Sequence, residues 1–226
     1  MAFHLLKLLS VGVVATLIFT SMGPISSWAS ATTGLPSKIQ PLIIDADKKQ
    51  VLIYTEVNLK NWDKPNPHWG VVYRGGKLRD KAIFLAFCSP EDFHKALVQI
   101  GAHPGNSLAL GLNGKVVEGD NLVIRIIRSV HSGILTLGDI LFDQTGKGFD
   151  FRFGGNLEQA TKDKTGCLTC LESCPVGITS NAAYPTISSW KRFFSPNSLF
   201  KGKKELISLK EGEPLILVYE LIKSKH

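Results

Sequence analysis

The chain has 226 residues, enough for one ordinary domain, and 44% of them are hydrophobic against 20% charged. That globular balance excludes a disordered chain, a collagen-like fibre and an extended coiled coil. The formal net charge of +7 is mild and scattered along the sequence, so it makes no case for a nucleic-acid partner.

Lys7 is the only charged side chain before Lys38, and an apolar run from Leu8 to Met22 follows it. Pro24 then breaks the run, and Ser27-Trp28-Ala29 and Ala29-Ser30-Ala31 place small residues at the spacing a signal peptidase accepts. This predicts a signal peptide over 1–31 and a mature domain over 32–226, exported to the periplasm or beyond. The sequence holds no second long apolar run, so the mature part is not expected to be integral to the membrane. Disulfides are permitted in that compartment, and all four cysteines fall in the mature part.

From Pro41 the apolar residues form short strand-like runs. Leu42-Ile43-Ile44 and Val51-Leu52-Ile53-Tyr54 flank a turn at 45–49, as a hairpin would. Trp69 to Tyr73 and Ala82 to Phe87 read as further strands. Ser89-Pro90-Glu91-Asp92 carries the marks of a helix start, with Ser as N-cap, Pro at the first turn and acids beside them. Phe93, Ala96, Leu97 and Ile100 then form one apolar stripe, and Gly101 stops the helix. Strands are expected at Asn121–Val130, around Ile134–Phe142, at Phe149–Phe153 and at Pro214–Ile222. The expected class is therefore α+β: a β-rich single domain with one clear amphipathic helix. The cysteine-bearing stretch 155–204 is expected to be a loop-rich segment inside it.

Cys167, Cys170 and Cys174 lie in a C-x2-C-x3-C-P run. A bacterial iron–sulfur motif is C-x2-C-x2-C-x3-C-P, so three of its four thiolates are present, with the proline. Lys164 stands where the first would fall, and an ammonium is no ligand. The fourth donor must come from elsewhere, and Cys88 is the tentative choice. Zinc asks only for a tetrahedron, which three thiolates and Cys88, His68, His103 or His131 would complete. Two other readings stand beside the metal site: a C-x-x-C redox pair at Cys167 and Cys170, and structural disulfides with no chemistry.

Four pieces of the sequence carry a family likeness: Gly101-Ala102-His103-Pro104-Gly105-Asn106, Asp143-Gln144-Thr145-Gly146-Lys147, Phe153-Gly154-Gly155-Asn156, and the run from Gly166-Cys167 to Tyr184-Pro185. Together they resemble the YdjY-like bacterial proteins over roughly Ile39 to Tyr219. The resemblance implies an exported protein and, in part of that family, a ferredoxin-like label. It implies no substrate.

The remaining features have plain accounts. Gly101 to Asn106 reads as a helix stop and tight turn, and Asp139, Asp143 and Asp150 as turn acids that cap backbone amides. Trp62, His68, Trp69 and Tyr73, near a Pro-rich loop, read as core aromatics ahead of a surface that stacks a sugar or peptide. Trp190-Lys191-Arg192-Phe193-Phe194 is the best candidate for peripheral contact with a membrane surface. The leading expectation is a cysteine-centred metal or iron–sulfur site on Cys167, Cys170, Cys174 and Cys88, with an electron-transfer role and a redox partner protein. The rival is a non-catalytic periplasmic binding module whose cysteines form structural disulfides, with no cofactor.

Overall fold

The computed structural model describes residues 34–62, 68–110, 114–128, 133–186, 200–203 and 209–222. The expected signal peptide, His131 and Trp190–Phe194 lie outside them. Among the described residues no helix is long and apolar enough to cross a membrane.

In chain order the elements are β1 (Leu42–Asp45), β2 (Gln50–Val57), β3 (Trp69–Tyr73), β4 (Phe84–Ala86), α1 (Pro90–Gln99), β5 (Asn121–Ile127), β6 (Ile134–Thr136), α2 (Leu137–Ile140) and β7 (Leu141–Asp143). They continue with β8 (Phe151–Phe153), α3 (Leu157–Asp163), β9 (Cys167–Cys170), β10 (Thr179–Asn181), β11 (Phe200–Gly202) and β12 (Pro214–Leu221). Hydrogen-bonded neighbours run β2–β12–β5–β8–β10–β9–β3–β4, and β4 pairs again with β2. The sheet therefore closes on itself as an eight-stranded barrel.

Closure corrects the expected α+β class. An α+β domain sets helices against an open sheet, whereas here eight of the strands form a closed ring and the helices are short additions around it. Closure works because β2 and β5 each serve two neighbours along one edge. β1 pairs with Gln50–Ile53 of β2 and leaves Thr55–Val57 to β4; β6 pairs with Arg125–Ile127 of β5 and leaves Asn121–Leu122 to β8. The cysteine stretch is corrected too: two of its short runs, β9 and β10, are staves of the ring rather than a loop-rich segment beside it.

Alternation fills the ring. Val51, Ile53 and Val57 of β2, Leu122, Ile124 and Ile126 of β5, and Leu215, Leu217 and Tyr219 of β12 all join one buried cluster. An eight-stranded ring has an interior that side chains just fill, and each fully buried Val, Leu or Ile contributes roughly 1.5–3 kcal/mol. The opposite faces of β2 and β12 carry Tyr54, Ile216 and Val218, which form a separate patch with Leu52, Phe87 and Ile127. The helix expected after Ser89 forms over Pro90–Gln99, with the Ser89 side chain accepting from the Asp92 amide, and it adds Phe93, Ala96 and Leu97 to the main cluster. Phe93 meets Tyr219 edge-on at 4.7 Å. The Tyr219 hydroxyl then reaches Thr169 Oγ1 on β9 at 2.7 Å, across the ring from β12.

Candidate metal centre

Three neighbouring elements build the site. His68 stands immediately before β3, Cys167 and Cys170 lie on β9, and Cys174 follows in the connection to β10. β3 and β9 are antiparallel partners, and the Leu171 amide donates to the His68 carbonyl at 2.8 Å, which fixes His68 beside the end of β9. A regular strand sends residues i and i+3 to opposite faces. The β3–β9 ladder shifts register twice, between Trp69 and Val71 and between Val71 and Val72. That irregularity allows Cys167 and Cys170 to share one small cluster with Cys174, Val72 and Ala82.

The connection after β9 is pinned on both sides. Asn156 Nδ2 donates to the Cys174 carbonyl at 2.9 Å and to the Gly177 carbonyl at 2.8 Å. Ser173 donates its amide to the Tyr184 carbonyl and accepts the Val117 amide on its hydroxyl. Gly177 must be glycine for a steric reason: a Cβ there would lie 2.8 Å from Cys170 Sγ and 3.0 Å from the Thr179 carbonyl.

The donor atoms converge. His68, Cys170 and Cys174 offer a ring nitrogen and two sulfurs that all lie within 4.8 Å of one another. His68 Nε2 is 2.9 Å from Cys174 Sγ, and Nδ1 is 3.0 Å from Glu172 Oε1. A carboxylate only accepts, so Nδ1 carries a proton and Nε2 faces the sulfurs. Cys167, Cys170 and Cys174 are all but sealed from solvent, at 0, 0 and 1% exposure.

Burial acts first on every charge here, and the neighbours decide the outcome. Burial alone would lower the His68 pKa, but Cys174 and then Glu172 hold it well above the usual imidazole range. Burial alone would raise Cys174, but Cys170 and His68 bring it well below the usual thiol range. Both directions favour an imidazolium beside a thiolate. Cys170 moves the other way: burial, then Cys167 and Cys174, raise it well above the usual thiol value, so it keeps its proton.

The structure thus brings together three of the four expected cysteines and supplies His68 beside them. Cys88 is placed elsewhere, in the main core cluster, where burial pushes its thiol up to about 12. Lys164 ends α3 in the left-handed region, exposed, with its carbonyl accepting from the Lys77 amide. His103 is exposed at the surface, 3.1 Å from Asp120. None of the four cysteines is joined in a disulfide. Glu172 and Ser180 were not singled out from the sequence. Glu172 sits between two cysteines without matching a ligand spacing, and Ser180 has no signal until β10 is aligned on β9.

The class defined by fold and site is a closed β-barrel with a buried cysteine–histidine donor group set into its wall. The chain belongs to the YdjY domain family, whose family model matches residues 42–220. It is 36% identical over 149 residues to the uncharacterized protein YdjY of Escherichia coli strain K12. That alignment covers 66% of this chain and 66% of the relative, just under two thirds of each. No solved structure matches the chain.

Proposed function

We propose that this is an exported metal-binding protein whose centre holds one ion through His68, Cys170, Cys174 and Cys167. The observation that carries the reading is the convergence of one ring nitrogen and two sulfurs within 4.8 Å, with the far nitrogen of His68 on a carboxylate. Ligating histidines characteristically place their other nitrogen on such a carboxylate, which fixes the tautomer and the ring. Tetrahedral zinc, with bonds of about 2.3 Å to sulfur and about 2.0 Å to nitrogen, spaces its donors about 3.6–3.8 Å apart. His68, Cys170 and Cys174 lie near that spacing, no two of their donor atoms being more than 4.8 Å apart, whereas Cys167 stands outside the group and would have to turn toward it. An iron–sulfur cluster distributes its cysteines over separate irons and wants them farther apart, so the compact group favours a single ion, zinc first. A single iron on the same donors would make it an electron-transfer centre, with His68 the donor nearest a redox partner.

The same residues read without an ion form a carboxylate–imidazole–thiol relay, the layout of an activated nucleophile. Burial weighs against that use. Reactive cysteines are partly exposed, and Cys174 is 1% exposed.

Native mass spectrometry of the protein recovered from its exported compartment, without chelator or reductant, tests the proposal. One zinc per chain is expected, and Cys170→Ser should abolish it. Iron with sulfide would overturn the single-ion reading. A loss of two or four hydrogens with no metal would overturn the metal reading altogether and return the cysteines to disulfides.

A further inference from the structure

Among the described residues, two buried side-chain polar atoms have no hydrogen-bond partner: Ser180 Oγ and Asn156 Oδ1. Both border the centre. Asn156 at least spends its amide on the Cys174 and Gly177 carbonyls, whereas Ser180 is completely buried and its hydroxyl has no partner at all. Leaving such a group unpaired is destabilising, so a buried hydroxyl without an acceptor asks for an account.

Its position supplies one. β10 runs parallel to β9 with Ser180 opposite Cys170. Paired residues on adjacent strands send their side chains to the same face. The space over Gly177 confirms the neighbourhood: a Cβ there would touch Cys170 Sγ at 2.8 Å and Ser180 Oγ at 3.1 Å. Sulfur and hydroxyl therefore stand around one small gap that the missing side chain leaves open. A sulfur bonded to a metal ion carries negative charge and accepts hydrogen bonds well.

We infer that Ser180 is the hydroxyl donor to the metal-bound Cys170 sulfur, a positioning residue that sets how tightly the centre holds its ion. The inference rests on the metal-centre reading above. It accounts for an unsatisfied polar group in the wall of this site, because a metal-bound sulfur would stand beside it as acceptor. Groups that orient ligands in this way typically cost 10–100-fold in metal affinity when removed.

Ser180→Ala separates this role from a merely structural one, because the two predict opposite signs. Zinc affinity, read by competition with a chromophoric chelator, should fall 10–100-fold. The sulfur-to-metal band of the cobalt(II)-loaded protein should move to longer wavelength, as the sulfur loses a hydrogen bond and becomes more electron-rich. The thermal midpoint of the ion-free protein should stay the same or rise, since an unsatisfied hydroxyl has gone. Unchanged affinity and an unchanged cobalt spectrum in a variant whose parent binds zinc would overturn the role of Ser180 and leave the metal centre standing. A lowered midpoint in the ion-free variant would also overturn it, by exposing a structural hydrogen bond. If the parent itself takes up no zinc or cobalt, the metal reading fails and this role falls with it.

Discussion

Glu172 controls the chemistry of His68 without belonging to the donor group. Its carboxylate is 3.0 Å from Nδ1, with only 5% of its side chain exposed. It fixes which nitrogen faces the sulfurs, and its charge supports the imidazolium when no ion is bound. An amide in its place would offer the same shape and no charge. Glu172→Gln should therefore lower zinc affinity about 10–100-fold while leaving the zinc stoichiometry at saturation unchanged. Equal affinity in the two proteins would show that the carboxylate is not what sets the ring. At this scale the sequence was half legible. The three cysteines announced themselves by spacing, but His68 was one of three candidate histidines and nothing near it favoured it. It lies about a hundred residues from the sulfurs it faces, so only the β3–β9 pairing could select it.

Among the elements, the turn after β7 shows how a single acid fixes a local fold. Asp143 accepts from the amides of Thr145 at 3.1 Å and Gly148 at 2.7 Å, and from the Tyr184 hydroxyl at 2.5 Å. Burial alone would raise its carboxyl, but the Tyr184 hydroxyl and these amides outweigh it and hold the carboxyl below the usual range. The stability it contributes is then present above the ordinary carboxylate value of about 3.9 and is lost as the pH falls through the lower folded value. Asp143→Asn should lower the denaturation midpoint at pH 7, and the gap to the parent should narrow below about pH 4. A gap that is constant with pH would show that the carboxylate charge contributes nothing. The turn-acid reading of Asp139 and Asp143 came from the sequence because capping is local chemistry. The β1–β2 hairpin, α1 and the alternating β5 and β12 were legible for the same reason. β9 and β10 were not: Cys-Leu-Thr-Cys and Thr-Ser-Asn are too short and polar to show a period, and their strand character comes from their neighbours in the ring.

Over the whole molecule, closure was the feature hidden from the sequence. No local pattern says that β4 returns to β2, since three residues of pairing, Thr55 to Ala86 through Val57 to Phe84, join the two ends of the ring. The interior shows how the closed form is held. Tyr219 on β12 and Thr169 on β9 join opposite walls, and Thr169 Oγ1 is also 2.9 Å from Thr179 Oγ1 on β10. Tyr219→Phe removes the cross-ring hydrogen bond but leaves Thr169 its partner on β10, so the loss should be about 1 kcal/mol in chemical denaturation. A loss near zero would mean that the ring packs equally well without the tie. Zinc binding in that variant should be unchanged, because the tie and the centre use different side chains.

The place of β12 in the ring has a consequence for the order in which the protein is made. β12 pairs with β2 along Gln50–Glu56 and with β5 along Leu122–Ile127, and every other stave precedes it in the sequence. β9, the strand bearing Cys167 and Cys170, is therefore synthesised before the stave opposite it exists. Until residues 214–221 arrive, β2 and β5 each show a bare edge of the kind that recruits strands from other chains. A nascent chain of this design depends on something to shield those edges, or on speed at its last step, for as long as the gap in the ring stays open.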